Sequence, residues 1–98
     1  MTIRFTSRAR RQQAAVDGWW RQNAISPNLF DDELTAMLER LKTKPRPGKL
    51  YKTLDGDTIW YVLLKKSKQW VFYAVDEDAD EIVIHAIWGA VRGSAPPL

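Results

Sequence analysis

Few side chains in this sequence have chemistry to offer. His85 is the one histidine in 98 residues, and its near-neutral intrinsic pKa suits proton transfer at pH 7. Tyr73 brings a phenol, donor and acceptor at once. Arg92, just after Gly89, brings a guanidinium whose planar fork matches phosphate or carboxylate. Lys49, Lys52, Lys65 and Lys66 add positive charge for an anion. Together they amount to a candidate acid or base with a cationic flank. Each also has a plain structural use: an exposed strand position for the histidine, packing between valines for the tyrosine, a solvated turn for the lysines. No catalytic motif stands beside them. With no cysteine, disulfides and thiolate metal sites are excluded, and no cofactor or metal is expected.

Net charge is only +3, but the charges are segregated. Arg4, Arg8, Arg10 and Arg11 lead the chain; Lys42, Lys44, Arg46, Lys49 and Lys52 follow mid-chain; Lys65, Lys66 and Lys68 precede the last hairpin. Acids gather at Asp31, Asp32 and Glu33 and again from Asp76 to Glu81. Such segregation suits an anionic partner, nucleic acid or an acidic protein segment, as well as a solvated face. No apolar run reaches the roughly 18 residues of a membrane span, and the N-terminus lacks a signal-peptide core. A single cytoplasmic domain over residues 1–98 is expected, with no membrane contact.

The elements that must position these residues divide into a helical front and a sheet-forming back. Ile3 to Thr6 reads as a short strand, and Ser7 can cap a helix from Arg8 to about Asn23. Its apolar face is Ala9, Val16 and Trp19, with Ala15 alongside and Trp20 at the edge. Gly18 is the weak point, costing about 1 kcal/mol against alanine unless another backbone approaches it. Ile25, Ser26, Pro27 and Phe30 then place a staple residue, an N-cap, a first-turn proline and the staple's partner in order. A second helix starts near Pro27 and buries Phe30, Leu34, Met37, Leu38 and Leu41, so the two helices form an antiparallel hairpin. The stretch KTKPRPGKLYKTLDGD reads as a loop with a turn at Asp55-Gly56. Three strands follow, Thr58 to Leu64, Gln69 to Val75 and Glu81 to Trp88, joined by short polar turns and therefore antiparallel. The expected fold is α+β, β-α-α-β-β-β, a helical hairpin on one face of a small antiparallel sheet.

Alternation on the last strand puts His85 with Val83 and Ile87, opposite Ile82, Ile84, Ala86 and Trp88. If the latter set meets the helices, His85 looks out from the open side. Five tryptophans in a chain this small crowd the core. Trp19 and Trp88 read as core; Trp20, Trp60 and Trp70 cannot all be buried, and whatever stays outside marks either a core edge or a partner surface.

This order, with IRFTSRAR, WWRQNAISPNLFDDELTAMLERL and VFYAVDEDADEIVIHAIWGAVRG as its most specific pieces, resembles the RelE/ParE superfamily of type II toxin–antitoxin toxins. The closing IWGAVRG is similar to the tail of the ParE-like branch. The resemblance implies a protein that arrests growth when free and is neutralised by a cognate antitoxin in a hetero-oligomer. The ParE-like branch is associated with poisoning DNA gyrase; the RelE-like branch cleaves messenger RNA on the ribosome with basic residues and often a tyrosine or histidine. Many members carry arginine on the first strand after the loop, where this chain has Trp60 and Tyr61, which favours the ParE-like branch. On the nuclease alternative, His85, Tyr73 and Arg92 would serve catalysis. Arg92, Lys49, Lys52, Lys65, Lys66, Trp20, Trp60 and Trp70 are the candidate contacts to target or antitoxin. A relic that only binds its antitoxin is the third alternative.

Overall fold

The computed structural model describes residues 1–45 and 48–90. Strand β1 (Thr2–Phe5) leads into α1 (Ser7–Asn23) and α2 (Leu29–Thr43), and β2 (Lys49–Leu54), β3 (Asp57–Leu64), β4 (Gln69–Asp76) and β5 (Glu81–Gly89) follow. They make one five-stranded sheet in the order β1-β5-β4-β3-β2. Strands β2 to β5 pair antiparallel, as short turns require, and β1 returns to pair parallel with β5 through Ile3↔Ile82 and Phe5↔Ile84. The α+β architecture is the expected one with one further strand.

That strand, β2, lies inside the expected loop. Asp55 (φ 50°) and Gly56 (φ 85°) both take left-handed backbone, the requirement of a tight hairpin turn matched to strand twist. The turn folds Leu54 back against Asp57 and Thr53 against Thr58.

Helix boundaries shift from expectation for local reasons. Thr6, not Ser7, caps α1, its Oγ1 accepting from Ala9 N at 3.1 Å. Helix α2 starts at Leu29 after Asn28. Ile25 is fully exposed, so no staple to Phe30 forms. The acids Asp31 and Asp32 stand in the first turn of α2 and Arg40 and Lys42 in its last, each favourable to the helix dipole.

The main core lies between the helices and one sheet face. Phe30, Leu34, Met37 and Leu41 of α2 and Ala9 of α1 pack on Leu64, Val71, Tyr73, Ile82, Ile84 and Ile87. Each large side chain buried there stabilises the fold by about 1.5–3 kcal/mol. A second cluster covers the other face: Ile59, Phe72, Ala74 and Ala86, ringed by Tyr51, Leu54, Tyr61, Trp70 and Trp88.

A bulge on β5 reassigns residues between these faces. Tyr73 pairs with Ile84 and Phe72 with Ala86, leaving His85 as the extra residue. Simple alternation therefore ends at His85. Ile82 and Ile84 meet the helices as expected, but beyond the bulge Ile87 joins them while Ala86 and Trp88 move to the opposite face. Neighbouring side chains meet the bulge's backbone: Thr6 Oγ1 donates to His85 O at 3.4 Å, and Gln12 Oε1 accepts from Ile87 N at 2.8 Å. Trp19, expected in the core, is 56% exposed; Trp20 is the indole that packs against the core.

Candidate functional site

The sheet face turned away from the helices carries an aromatic strip with lysines at its edge. Cross-strand pairing sets it: Tyr61 sits opposite both Lys49 and Phe72, Leu63 opposite Trp70, and Trp70 opposite Trp88. Tyr51, two residues on from Lys49, lies in the same strip, and a second bulge, between Leu50 and Lys52, sets Lys52 opposite Ile59 beside it. Tyr51 and Phe72 meet edge to face at 4.8 Å, Tyr61 and Trp70 at 5.3 Å, and Tyr61 stacks on Phe72 at 5.9 Å. Such pairs add about 0.5–1.5 kcal/mol each beyond area burial, so the strip is a firm platform. Lys52 Nζ lies 5.6 Å from the Tyr51 ring centre, within cation–π range.

At one end of the strip a pocket of about 420 Å³ opens, lined by Gly48, Lys49, Tyr61, Leu63, Lys65 and Trp70 among others. Its shape depends on Gly48. A Cβ at that position would stand 2.5 Å from Tyr61 O and 2.9 Å from Tyr73 Oη, so the backbone can pass this close to β3 only without a side chain. Gly48 N donates to Tyr73 Oη at 3.2 Å.

The turn between β3 and β4 is fixed from behind. Glu33 on α2 accepts from Lys66 N at 2.8 Å, Ser67 N at 2.9 Å and Ser67 Oγ at 2.7 Å. Burial raises the Glu33 carboxyl, but these donors and the Lys66 charge outweigh it and hold its pKa below the ordinary value. Lys65, Lys66 and Lys68, all exposed, therefore project from an anchored loop. Lys65 lines the pocket on the aromatic face, and Lys68 lines a separate groove beside α1.

The residues singled out in the sequence fall in different places. Lys49, Lys65 and Trp70 come together in the pocket, and Lys52 flanks the strip. Lys66 is on the anchored turn. Trp60 packs on the helix-side core, and Trp20 does the same while lining the groove by α1. Tyr73 is fully buried among helix-side residues, so the expectation of an available phenol gives way to a packing role. His85 is half-buried away from the helices. Burial lowers its pKa, Asp57 raises it and Arg4 lowers it, for a net fall; neutral imidazole is the resting form at pH 7. Arg92 lies outside the described residues. Tyr73 lies in the helix-side core and His85 in neither core cluster, and the charges that act on His85 are those of Asp57 and Arg4, so the two do not form one acid–base pair.

Three contributors escaped sequence reasoning. Tyr51 and Tyr61 supply two of the five rings of the aromatic strip; Tyr51 stands in a segment whose alternation is broken by a bulge and which follows two prolines, so no regular signal marked it. Glu33 looked like one acid in a helix-start cluster, and nothing local distinguishes it from Asp31 or Asp32.

The arrangement can hold a flat, anionic ligand segment: rings stack on bases or planar groups, and lysines meet phosphates or carboxylates. No protein-family model matches the chain, and no curated protein matches it. Its fold is that of solved toxin structures. The isolated E. coli RelE toxin aligns at TM-score 0.65 and 19% identity over 95% of this chain and 87% of that one. The intact E. coli RelBE toxin–antitoxin complex aligns at TM-score 0.65 and 19% identity over 93% of this chain and 98% of that one. A RelE mutant in complex with an antitoxin RelBc peptide aligns at 0.63 and 19% identity over 91% and 82%.

Proposed function

We propose that this chain is the toxin of a type II toxin–antitoxin pair, arresting growth when free and silenced by a cognate antitoxin. The observation that carries this reading is a RelE-like backbone over nearly the whole chain, matched to RelE both alone and bound to its antitoxin. On this frame the aromatic strip and its lysines are the surface that meets the target.

The first reading of that target is DNA gyrase, engaged by binding as in the ParE-like branch. The separation of the proton-transfer candidates supports it: the Tyr73 phenol is buried in the helix-side core and bonded to Gly48 N, and His85, the extra residue of the β5 bulge, belongs to neither core cluster. A second reading, cleavage of ribosome-bound messenger RNA, draws support from the pocket, where Lys49 and Lys65 flank the Tyr61–Trp70 pair as backbone charge and base platform would.

Inducible expression with gyrase supercoiling and messenger RNA cleavage assayed side by side separates them. Blocked supercoiling with intact messages establishes the first. Codon-positioned cleavage lost in Lys49→Ala/Lys65→Ala or His85→Ala establishes the second. Unimpaired growth with neither effect overturns the toxin reading.

A further inference from the structure

We infer that Asp55-Gly56, at the tip of the β2–β3 hairpin, is a site of spontaneous isoaspartate formation, and that this change of backbone releases β2 from the sheet. The chain holds two aspartate–glycine pairs, Asp17-Gly18 and Asp55-Gly56. Such a pair is chemically poised, because a glycine nitrogen with no side chain beside it can reach the preceding carboxyl. A bond forms from the glycine N to the aspartate Cγ, and the carboxyl OH leaves with the amide proton as water, giving a five-membered succinimide. Solvent water then opens the ring. Opening at Cγ restores aspartate. Opening at the main-chain carbonyl breaks the original peptide bond and routes the chain through the side chain, with no change in mass or oxidation state.

The fold separates the two pairs. Asp17-Gly18 lies within α1, both residues partly buried, with Asp17 Oδ2 accepting from Arg21 Nε at 2.8 Å. Ring closure there must turn the backbone out of helical dihedrals in mid-helix, breaking the ladder of hydrogen bonds that spans it. Asp55 and Gly56 are both exposed, and a Cβ on Gly56 would meet nothing within 4 Å, so nothing crowds a ring at this turn. Asp55 also holds φ 50°, a left-handed backbone that any side chain disfavours. Its strand is the sheet edge, bonded only to β3 and interrupted by the bulge between Leu50 and Lys52. An edge hairpin opens locally at far lower free energy than a packed helix, so Asp55 reaches ring-closing geometry while the rest of the sheet stays folded.

The product cannot keep the turn. Leu54 pairs with Asp57 across two residues only, a spacing that depends on the backbone geometry of both, and isoaspartate adds a carbon to the main chain between them. Strand β2 carries Lys49, Tyr51 and Lys52. Its release takes the Tyr51 ring from Phe72, which it meets at 4.8 Å, and Lys52 from beside it.

The test incubates the full chain at physiological temperature, native and in concentrated urea, and maps each aspartate by mass spectrometry with fragmentation that distinguishes the two linkages. In the native chain isoaspartate at Asp55 should accumulate at least about 10-fold faster than at Asp17, because only the hairpin opens locally. In urea the two rates should converge. Asp55→Asn keeps a residue suited to the turn and should react faster still, since ammonia leaves more readily than water; the conversion of amide to acid is then read as a mass gain. Hydrogen exchange of the aged chain should show protection lost on β2 and retained on β4 and β5. Equal rates at Asp17 and Asp55 in the native chain overturn the proposal, as does no isoaspartate at Asp55 over the time in which the urea-unfolded chain accumulates it. A difference between the two sites that persists in urea assigns the selectivity to local sequence and overturns the role of the fold. Unchanged β2 protection in the aged chain overturns the release of that strand.

Discussion

Ser67 Oγ and Ser67 N both donate to one oxygen of Glu33, Oε1, at 2.7 and 2.9 Å across 34 positions of sequence. One carboxylate thus ties α2 to the turn that carries Lys65 and Lys68. Hydrogen bonds to a charged group stabilise by roughly 1.5–3 kcal/mol when sheltered, and partial exposure at Glu33 reduces this.

Glu33→Gln should therefore lower stability by about 1–2 kcal/mol, read as a urea midpoint shift, with Ser67→Ala non-additive to it in a double-mutant cycle. The pH dependence has a definite sign. The folded pKa of Glu33 lies below its unfolded value, so its contribution is complete above the unfolded pKa and is lost as pH falls through the folded one. The gap between wild type and Glu33→Gln should close on acidification.

His85 titrates below its ordinary value. The unfolded chain takes up this proton first as pH falls, so the contribution of His85 to stability is complete above about pH 6.5 and is lost as pH falls through the folded value. Proton NMR of the imidazole should show the depressed midpoint. Arg4→Gln should move it upward and Asp57→Asn further downward, because their charges act in those directions.

Gly48→Ala places a Cβ 2.5 Å from Tyr61 O. Backbone rather than a flexible side chain stands in the way, so the segment must shift. A loss of about 1–3 kcal/mol is expected, in line with overpacking. Tyr73→Phe, which leaves the Gly48 N–H without its acceptor, should cost about 1 kcal/mol. Thermal unfolding of the two variants checks both.

Gly18 has nothing within 4 Å of where a Cβ would stand, so no close approach explains it. Gly18→Ala should stabilise α1 by about 0.5–1 kcal/mol, seen as a rise in thermal midpoint.

The helices and the last three strands were legible because their apolar spacing is long and regular: Phe30, Leu34, Met37 and Leu41 admit only a helix, and the β4 and β5 runs only strands. β2 was not, since an edge strand buries little. Leu50 is 61% exposed, and prolines stand just before it. Alternation held for Ile82 and Ile84 but misassigned Ala86, Ile87 and Trp88, because a bulge leaves no local mark in residue type. Trp19 was misplaced because the α1 stripe is wide enough that either indole could turn inward. At the site, the lysines were visible as charges. Their convergence was not, since it depends on Glu33 and Gly48, whose contacts lie across the fold.

The parallel pairing of β1 with β5 also sets a timetable. Thr6 and His85, which touch across that seam, are 79 positions apart, so the first strand to leave the ribosome waits for the last before it has a neighbour. Contacts this distant in sequence are slow to form, and translation at about 5–20 residues per second adds seconds of delay. A nascent chain therefore spends its synthesis without a finished sheet. Whatever the completed surface does must wait until β5 has been made and has joined β1.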